Sequence, residues 1–324
     1  CIASPSSALA VPTLENYDPK NAETSPSSGQ SYFPTILPPL TKRATFRYSM
    51  GRDAFALEQL LVFKDVAATV RTTVIKLSNG DLWVYNPQYP TGEYCRLLDE
   101  IGPVKHVVLG CNALEHKAPV GAFCKKYPNA SVWISPGQYG PFGKCGRTMA
   151  EDYNMGYRID GIIPPTSSGN DPLPPWADEF DFRTLYISLP ENAGPVSEVA
   201  LRHKQSKSLI TTDAVVYIPE SPPDIFGTYF SKTSMEEEGF WEKAVLQAVF
   251  LPSRREERKA NDAGGNNNDI SYYWPGYESI KGRLLRAPIL RAFGDARAPD
   301  ATRSWVESIQ TMGYFDRILT CHFA

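Results

Sequence analysis

The sequence predicts an α/β protein, and three observations carry that expectation. Apolar runs of strand length alternate with amphipathic stretches of helix length from about residue 57 onward, and a strand, helix, strand order favours parallel pairing with helices packed on the sheet. At 324 residues and 42% apolar content, the chain can bury one large α/β core or two modest ones. No window approaches the roughly eighteen uninterrupted apolar residues that span a bilayer, and VLQAVFL at 245–251 has the length of a core helix.

Residues 1–45 are rich in Ser, Pro, Asn and Thr and have no apolar period, so they read as an extended arm of low order or a segment that lies along a partner. Residues 46–324 read as a single domain. The chain opens CIASPSSALAVP, and SPSSALA before VP has the small-x-small pattern of a signal-type cleavage site; a plain Ser/Pro arm fits the same residues. A processed leader there would direct the protein to a secretory or thylakoid-lumen compartment.

QLLVF (59–63), TTVIKL (72–77) and DLWVYN (81–86) read as three consecutive strands, with SNGD as a hairpin turn because Asn-Gly tolerates positive φ. TGEYCRLLDEIG (91–102) is a helix capped by Thr91 and stopped by Gly102, and KHVVLG (105–110) is a buried strand. The unit repeats with a helix over 115–126 and the strand ASVWIS (130–135). A Pro/Gly-rich interval over 136–177 reads as surface loops, with SPGQYGPFG (135–143) as a tight turn that has a rival reading as a substrate loop. FRTLYISL, SEVALRH and SLITTD follow as strands near 181–213, FWEKAVLQAVF (240–250) and ATRSWVESIQTMG (301–313) as helices, and DRILTC (316–321) as a last strand. The charged, then Gly/Asn-rich stretch 254–269 is a solvated excursion.

Charge and cysteine usage exclude several classes. With 33 basic against 36 acidic residues, the net charge of −3 provides no global pull toward nucleic acid or anionic lipid. The six cysteines, at 1, 95, 111, 124, 145 and 321, contain no CxxC pair, so a zinc ribbon or thioredoxin motif is not expected. Buried thiols are the simplest reading, and a Cys111–Cys321 disulfide is the one bridge of functional interest. Three of the four histidines follow or end strands: His116 after KHVVLG, His203 in SEVALRH and His322 after DRILTC. Asp213 ends SLITTD. Ligand groups converge at the carboxyl ends of strands in open α/β sheets, and His with carboxylate suits Zn, Fe or Mn. Taken singly, each of these residues is more simply a cap or a packing residue.

The phrases GDLWVYNPQYPTGE, ALEHKAPVGAFCKKYPNASVWISPGQ, SKSLITTDAV and FDRILTCHF resemble a plant, algal and bacterial family of unknown function related to the metallo-β-lactamase-like hydrolases. The resemblance covers about residues 57–322 and implies a four-layer αββα sandwich with a metal site at one edge between two sheets. It places the HxHxDH motif on CNALEH, with Cys111 at the first His, Ala113 at the second, Glu115 at the Asp and His116 at the last His. Asp213 matches the bridging Asp and His322 the terminal His, while the middle His position near Asn192 or Ala193 has no histidine.

Ala113 carries no ligand atom, so a standard two-zinc hydrolase is not expected. What the resemblance leaves is a protein with either no metal or a single divalent ion (Zn, Fe or Mn) held by His116, Asp213 and His322, with Glu115 or His203 as fourth donor. Glu115 would accept the proton in hydrolysis of an ester, thioester or phosphoester. That is the alternative expectation. The first is a catalytically degenerate accessory or structural subunit of a larger plastid assembly, such as a thylakoid photosynthetic complex. It would be peripheral to the membrane and held through the N-terminal arm and the aromatic segment 272–277 (Tyr272, Tyr273, Trp274, Tyr277), whose residues suit a core equally and are read as a surface anchor because Pro275 and Gly276 lie among them.

Overall fold

A computed structural model describes residues 13–15, 44–63, 66–138, 158–189, 195–258 and 271–322. The first sheet takes its eight strands in chain order: β1 (Thr13–Glu15), β2 (Phe46–Gly51), β3 (Ala54–Phe63), β4 (Val66–Lys76), β5 (Leu82–Tyr85), β6 (Val104–Leu109), β7 (Ser131–Ile134) and β8 (Gly161–Ile162). β1 to β5 form an antiparallel meander, and β5 to β8 pair in parallel. β9 (Phe180–Ile187), β10 (Val196–His203), β11 (Ser208–Ile210), β12 (Val215–Ile218), β13 (Glu256–Arg258), β14 (Ser271–Tyr273), β15 (Arg283–Arg286) and β16 (Arg317–Leu319) follow. The second sheet has the order β16-β11-β10-β9, while β12 with β15 and β13 with β14 make two-stranded ribbons.

Strand parity builds the layers. In β5, Leu82 and Val84 face the core shared with helices α1 (Gly92–Asp99) and α3 (Val120–Lys126), whereas Trp83 faces Phe180, Phe182, Val199 and Leu201 of the second sheet. In β9, Phe180 and Phe182 point into that inter-sheet core, and Leu185 and Ile187 point the opposite way toward Trp305 of the helix Pro299–Gln310. Because successive strand residues alternate faces, near-continuous apolar runs are buried on both sides. The result is the αββα sandwich, with a separate core joining Phe46, Leu60 and Ala67 to the helix Phe240–Ala248.

Several elements differ from the reading of the sequence. The predicted helix 115–126 is two pieces, α2 (Leu114–Lys117) and α3, because Pro119 between them cannot donate a helical hydrogen bond. β2 precedes the expected first strand, and part of the N-terminal arm joins the sheet, with Thr13 opposite Ser49. The SNGD turn is as expected, with Gly80 at φ +88 between antiparallel β4 and β5. The aromatic segment requires a correction. Trp274 and Tyr277 are each 3% exposed and belong to the core around Leu246, because Pro275 opens a one-turn helix that brings Tyr277 inward to donate to the Glu220 carbonyl. Tyr273 donates to Glu256, and the Tyr272 ring lies 3.8 Å from the Arg255 guanidinium. Among the described residues no helix is long and apolar enough to cross a membrane.

Candidate metal centre

Three chain segments deliver acidic and imidazole groups to one end of the inter-sheet core. The loop after β6 carries Cys111 and leads into α2, which presents Glu115 and His116. The turn after β11 carries Asp213, and the residues after β16 carry His322. β11 and β16 are parallel neighbours, so their carboxyl ends share one edge of the sheet. Past β16 the chain crosses to the first sheet, where Arg71 N donates to the Cys321 carbonyl.

Ligand atoms of Glu115, His116, Asp213 and His322 all lie within 4.8 Å of one another. The inner three are tighter. His116 Nε2 is 3.1 Å from His322 Nε2 and 3.3 Å from Asp213 Oδ1, and His322 Nε2 is 3.1 Å from the same Oδ1. Two atoms each about 2.0–2.2 Å from a common ion and about 90–110° apart would be roughly 2.8–3.6 Å from each other, so these spacings fit the edges of a metal coordination shell. His322 Nδ1 donates to the Thr69 carbonyl at 2.7 Å, which leaves the lone pair of the neutral ring on Nε2, toward His116 and Asp213. With His322 Nε2 and Asp213 Oδ1 both accepting, the triangle holds together around a proton carried by His116 Nε2 or around a metal cation.

The electrostatics agree. Burial alone would raise the Asp213 carboxyl, but the imidazoles of His116 and His322 hold it well below the usual carboxylate range. Burial works to lower His322, and hydrogen bonding and charge attraction from Asp213 outweigh it, so the imidazole is held above its ordinary value. Behind the triangle stands Glu198, whose carboxylate accepts from Thr212 N at 2.7 Å and from Asp213 N at 3.3 Å. Burial and the neighbouring Asp213 charge push its pKa up to about 8. Cys111 pairs across the sheets with Glu198, and its thiol donates toward Asp213 Oδ2 at 3.8 Å. Cys111, Glu198 and Asp213 make a second, overlapping group of metal-capable residues.

The structure brings together Glu115, His116, Asp213 and His322 and leaves out His203. β10 runs antiparallel to β11, so its carboxyl end lies at the opposite edge, and there the buried His203 ring bonds Ser206 at 2.8 Å. His203 is therefore not a donor to this centre. Cys95, Cys111, Cys124 and Cys321 are buried free thiols, so no Cys111–Cys321 bridge exists. The missing middle histidine, near residues 192–193, lies outside the described residues, as do Cys1 and Cys145. Gly137 has φ +68, with a turn packed against Tyr186 and Pro195, and beside it opens a cavity of about 690 Å³ lined by Trp133, Pro136 and Tyr186. Residues 139–143 of the same motif lie outside the described structure.

Sequence reasoning missed Glu198 and Asn86. A carboxylate within the otherwise apolar run of β10 needs buried partners, which is the signal Glu198 offered. Asn86 ends β5 at φ +49, and its side chain accepts from Gly110 N at 2.9 Å and donates to Thr212 Oγ1 at 2.9 Å and Cys321 Sγ at 3.5 Å.

The chain is similar to the metallo-β-lactamase FIM-1 from Pseudomonas aeruginosa in its mono-zinc form, at 6% identity over 63% of this chain and 82% of that one, with a TM-score of 0.37. It is similar to a putative diflavin flavoprotein A 5 fragment from Nostoc sp. PCC 7120, at 14% identity over 83% and 99% of the two chains and a TM-score of 0.38. It is also similar to the metal-soaked Flv1 flavodiiron core from Synechocystis sp. PCC6803, at 11% identity over 82% and 60% and a TM-score of 0.37. No curated protein matches. Residues 52–324 match the family described as Domain of unknown function (DUF4336), and the chain belongs to that family.

Proposed function

We propose that this protein is a single-metal hydrolase of an ester, thioester or phosphoester. The observation that carries the reading is the triangle of His116 Nε2, His322 Nε2 and Asp213 Oδ1 with edges of 3.1–3.3 Å. His116, Asp213 and His322 would hold a divalent Zn, Fe or Mn ion; two imidazoles and one carboxylate leave coordination positions open. When bound, the ion supplies Lewis acidity and lowers the pKa of water. Asp213 keeps its negative charge through its imidazole neighbours, and Thr69 fixes the His322 tautomer. Half-buried Glu115, on the rim of the triangle, would serve as the proton acceptor for the attacking water.

The accessory-subunit role in a plastid assembly rests on the N-terminal arm and the ALA pattern, which lie outside the described residues except for 13–15, 44 and 45. Its other support, the aromatic anchor, is weakened by the burial of Trp274 and Tyr277. The hydrolase reading is tested by elemental analysis of protein purified without chelator, paired with hydrolysis of bis(p-nitrophenyl) phosphate and p-nitrophenyl esters. Close to one metal per chain, lost together with turnover in Asp213→Asn, is expected. A metal-free, inactive protein that stays so after zinc, iron(II) or manganese(II) is supplied would overturn the reading.

A further inference from the structure

The candidate ligands come from three segments far apart in the sequence, and one buried side chain touches all three, next to the ligand in two of them and at the head of the ligand-bearing loop in the third. Asn86 Oδ1 accepts from Gly110 N, at the head of the loop that runs through Cys111 to Glu115 and His116. Its Nδ2 donates to the hydroxyl of Thr212, next to Asp213, and to the thiol of Cys321, next to His322. Thr212 also shares a 2.7 Å hydrogen bond with the Tyr85 hydroxyl, which lies 3.1 Å from the Val199 carbonyl, so the hydroxyl that accepts from Asn86 is held on its other side as well.

The backbone of Asn86 is held as firmly as its side chain. Its N–H donates to the Val108 carbonyl, and its carbonyl accepts from the Thr72 hydroxyl and the Gln88 amide. At φ +49 the residue is in the left-handed region, which asparagine and glycine tolerate best. Gly110 completes the fit, because a Cβ there would lie 1.9 Å from the Tyr85 hydroxyl oxygen. An amide can accept from one segment and donate to two others, whereas a carboxylate of the same shape can only accept.

We propose that Asn86 is the positioning residue of the candidate metal centre, a single amide that sets the spacing of His116, Asp213 and His322. The proposal rests on the metal-site reading above. Its scale is that of groups that orient metal ligands, whose loss weakens metal binding about 10–100-fold.

The test uses Asn86→Gly, which keeps the left-handed backbone and deletes the amide, and Thr212→Val, which removes one of its acceptors without touching residue 86. Cobalt(II) is the probe: competitive titration reads affinity, and its visible absorption reads coordination geometry. We expect wild type to bind close to one cobalt, Asn86→Gly to bind 10–100-fold more weakly with an altered visible spectrum, and Thr212→Val to fall between them. Unchanged affinity and spectrum in a less thermostable Asn86→Gly would overturn the proposal, because a merely structural amide would move stability alone. If wild type takes up no cobalt, the metal reading fails, and the crystal structure of Asn86→Gly decides the positioning claim separately. A His116 to His322 Nε2 distance held at 3.1 Å would overturn it, and separation of the two rings would sustain it.

Discussion

The backbone carbonyl of Thr69 accepts the Nδ1 proton of His322 at 2.7 Å, and this contact turns a flexible imidazole into an oriented donor. A main-chain acceptor on β4 decides the chemistry of a side chain 253 residues further along. The neighbouring Asp213 carboxylate carries the negative charge at the heart of the triangle, and its removal defines the first prediction. Zinc at one hundred times its dissociation constant should stabilise the wild type by about 2.7 kcal/mol, a rise of several degrees in Tm. In Asp213→Asn the zinc-induced rise should vanish in differential scanning fluorimetry while the metal-free Tm stays within a few degrees of wild type.

Glu198 gives the metal-free protein a pH signature. Its folded pKa is raised to about 8 by burial and the Asp213 charge, against an unperturbed 4.5, so between those values the folded state holds a proton that the unfolded chain releases. Its contribution to stability is complete below about pH 4.5 and is lost as pH rises through about 8. One proton sets a limit of about 1.4 kcal/mol per pH unit on the slope. Urea unfolding of metal-free protein at pH 6, 7 and 8 should show stability falling with pH, and Glu198→Gln should flatten that fall. A pH dependence that Glu198→Gln leaves unchanged would refute the assignment.

Gly110 has no room for a side chain. An alanine Cβ would meet the Tyr85 hydroxyl at 1.9 Å and its ring carbon at 2.2 Å, between two sheets that cannot separate locally. Gly110→Ala should destabilise the protein by about 1–3 kcal/mol or more, as overpacked cores do. Gly102→Ala, where the nearest atom is the Gly80 carbonyl at 3.0 Å, should cost less in the same urea titration.

Trp274 separates a core aromatic from a surface anchor. It is 3% exposed, and a Cβ on Gly239 would strike its ring at 2.1 Å. Trp274→Ala should lower unfolding free energy by about 3–5 kcal/mol by urea denaturation. A loss under about 1 kcal/mol would match a solvent-facing residue and contradict its burial.

The fold was legible where local pattern and long-range packing agree. LWVY, the VVL that ends β6 and the VWI that ends β7 are apolar on both faces, as parallel strands between layers must be, and the Asn-Gly turn and Thr91 cap are local devices that act within four residues. Of the site, His116, Asp213 and His322 could be named because they follow strands whose ends converge, and Glu115 because the family resemblance places it at the Asp of the HxHxDH motif. His203 could not be excluded from sequence, since the direction of β10 relative to β11 is a property of the sheet and not of SEVALRH itself. The burial of Trp274 and Tyr277 was hidden for a related reason: Pro275 and Gly276 suggest a surface turn, and only the packing of the helix Phe240–Ala248 shows which way that turn faces. β12 and β15 are separated by more than sixty residues, so no local signal announces their pairing.

The placement of β16 gives the centre a history as well as a geometry. Strands β1 to β15 and the helices between them supply Glu115, His116 and Asp213, yet His322 follows 206 residues after His116 and is oriented only when β16 docks in parallel beside β11. During synthesis, every earlier donor leaves the ribosome before that strand exists, and parallel pairing across such separations is slow because the loop entropy is lost first. The candidate ligand set therefore closes late, and a metal held there would mark chains that have finished folding.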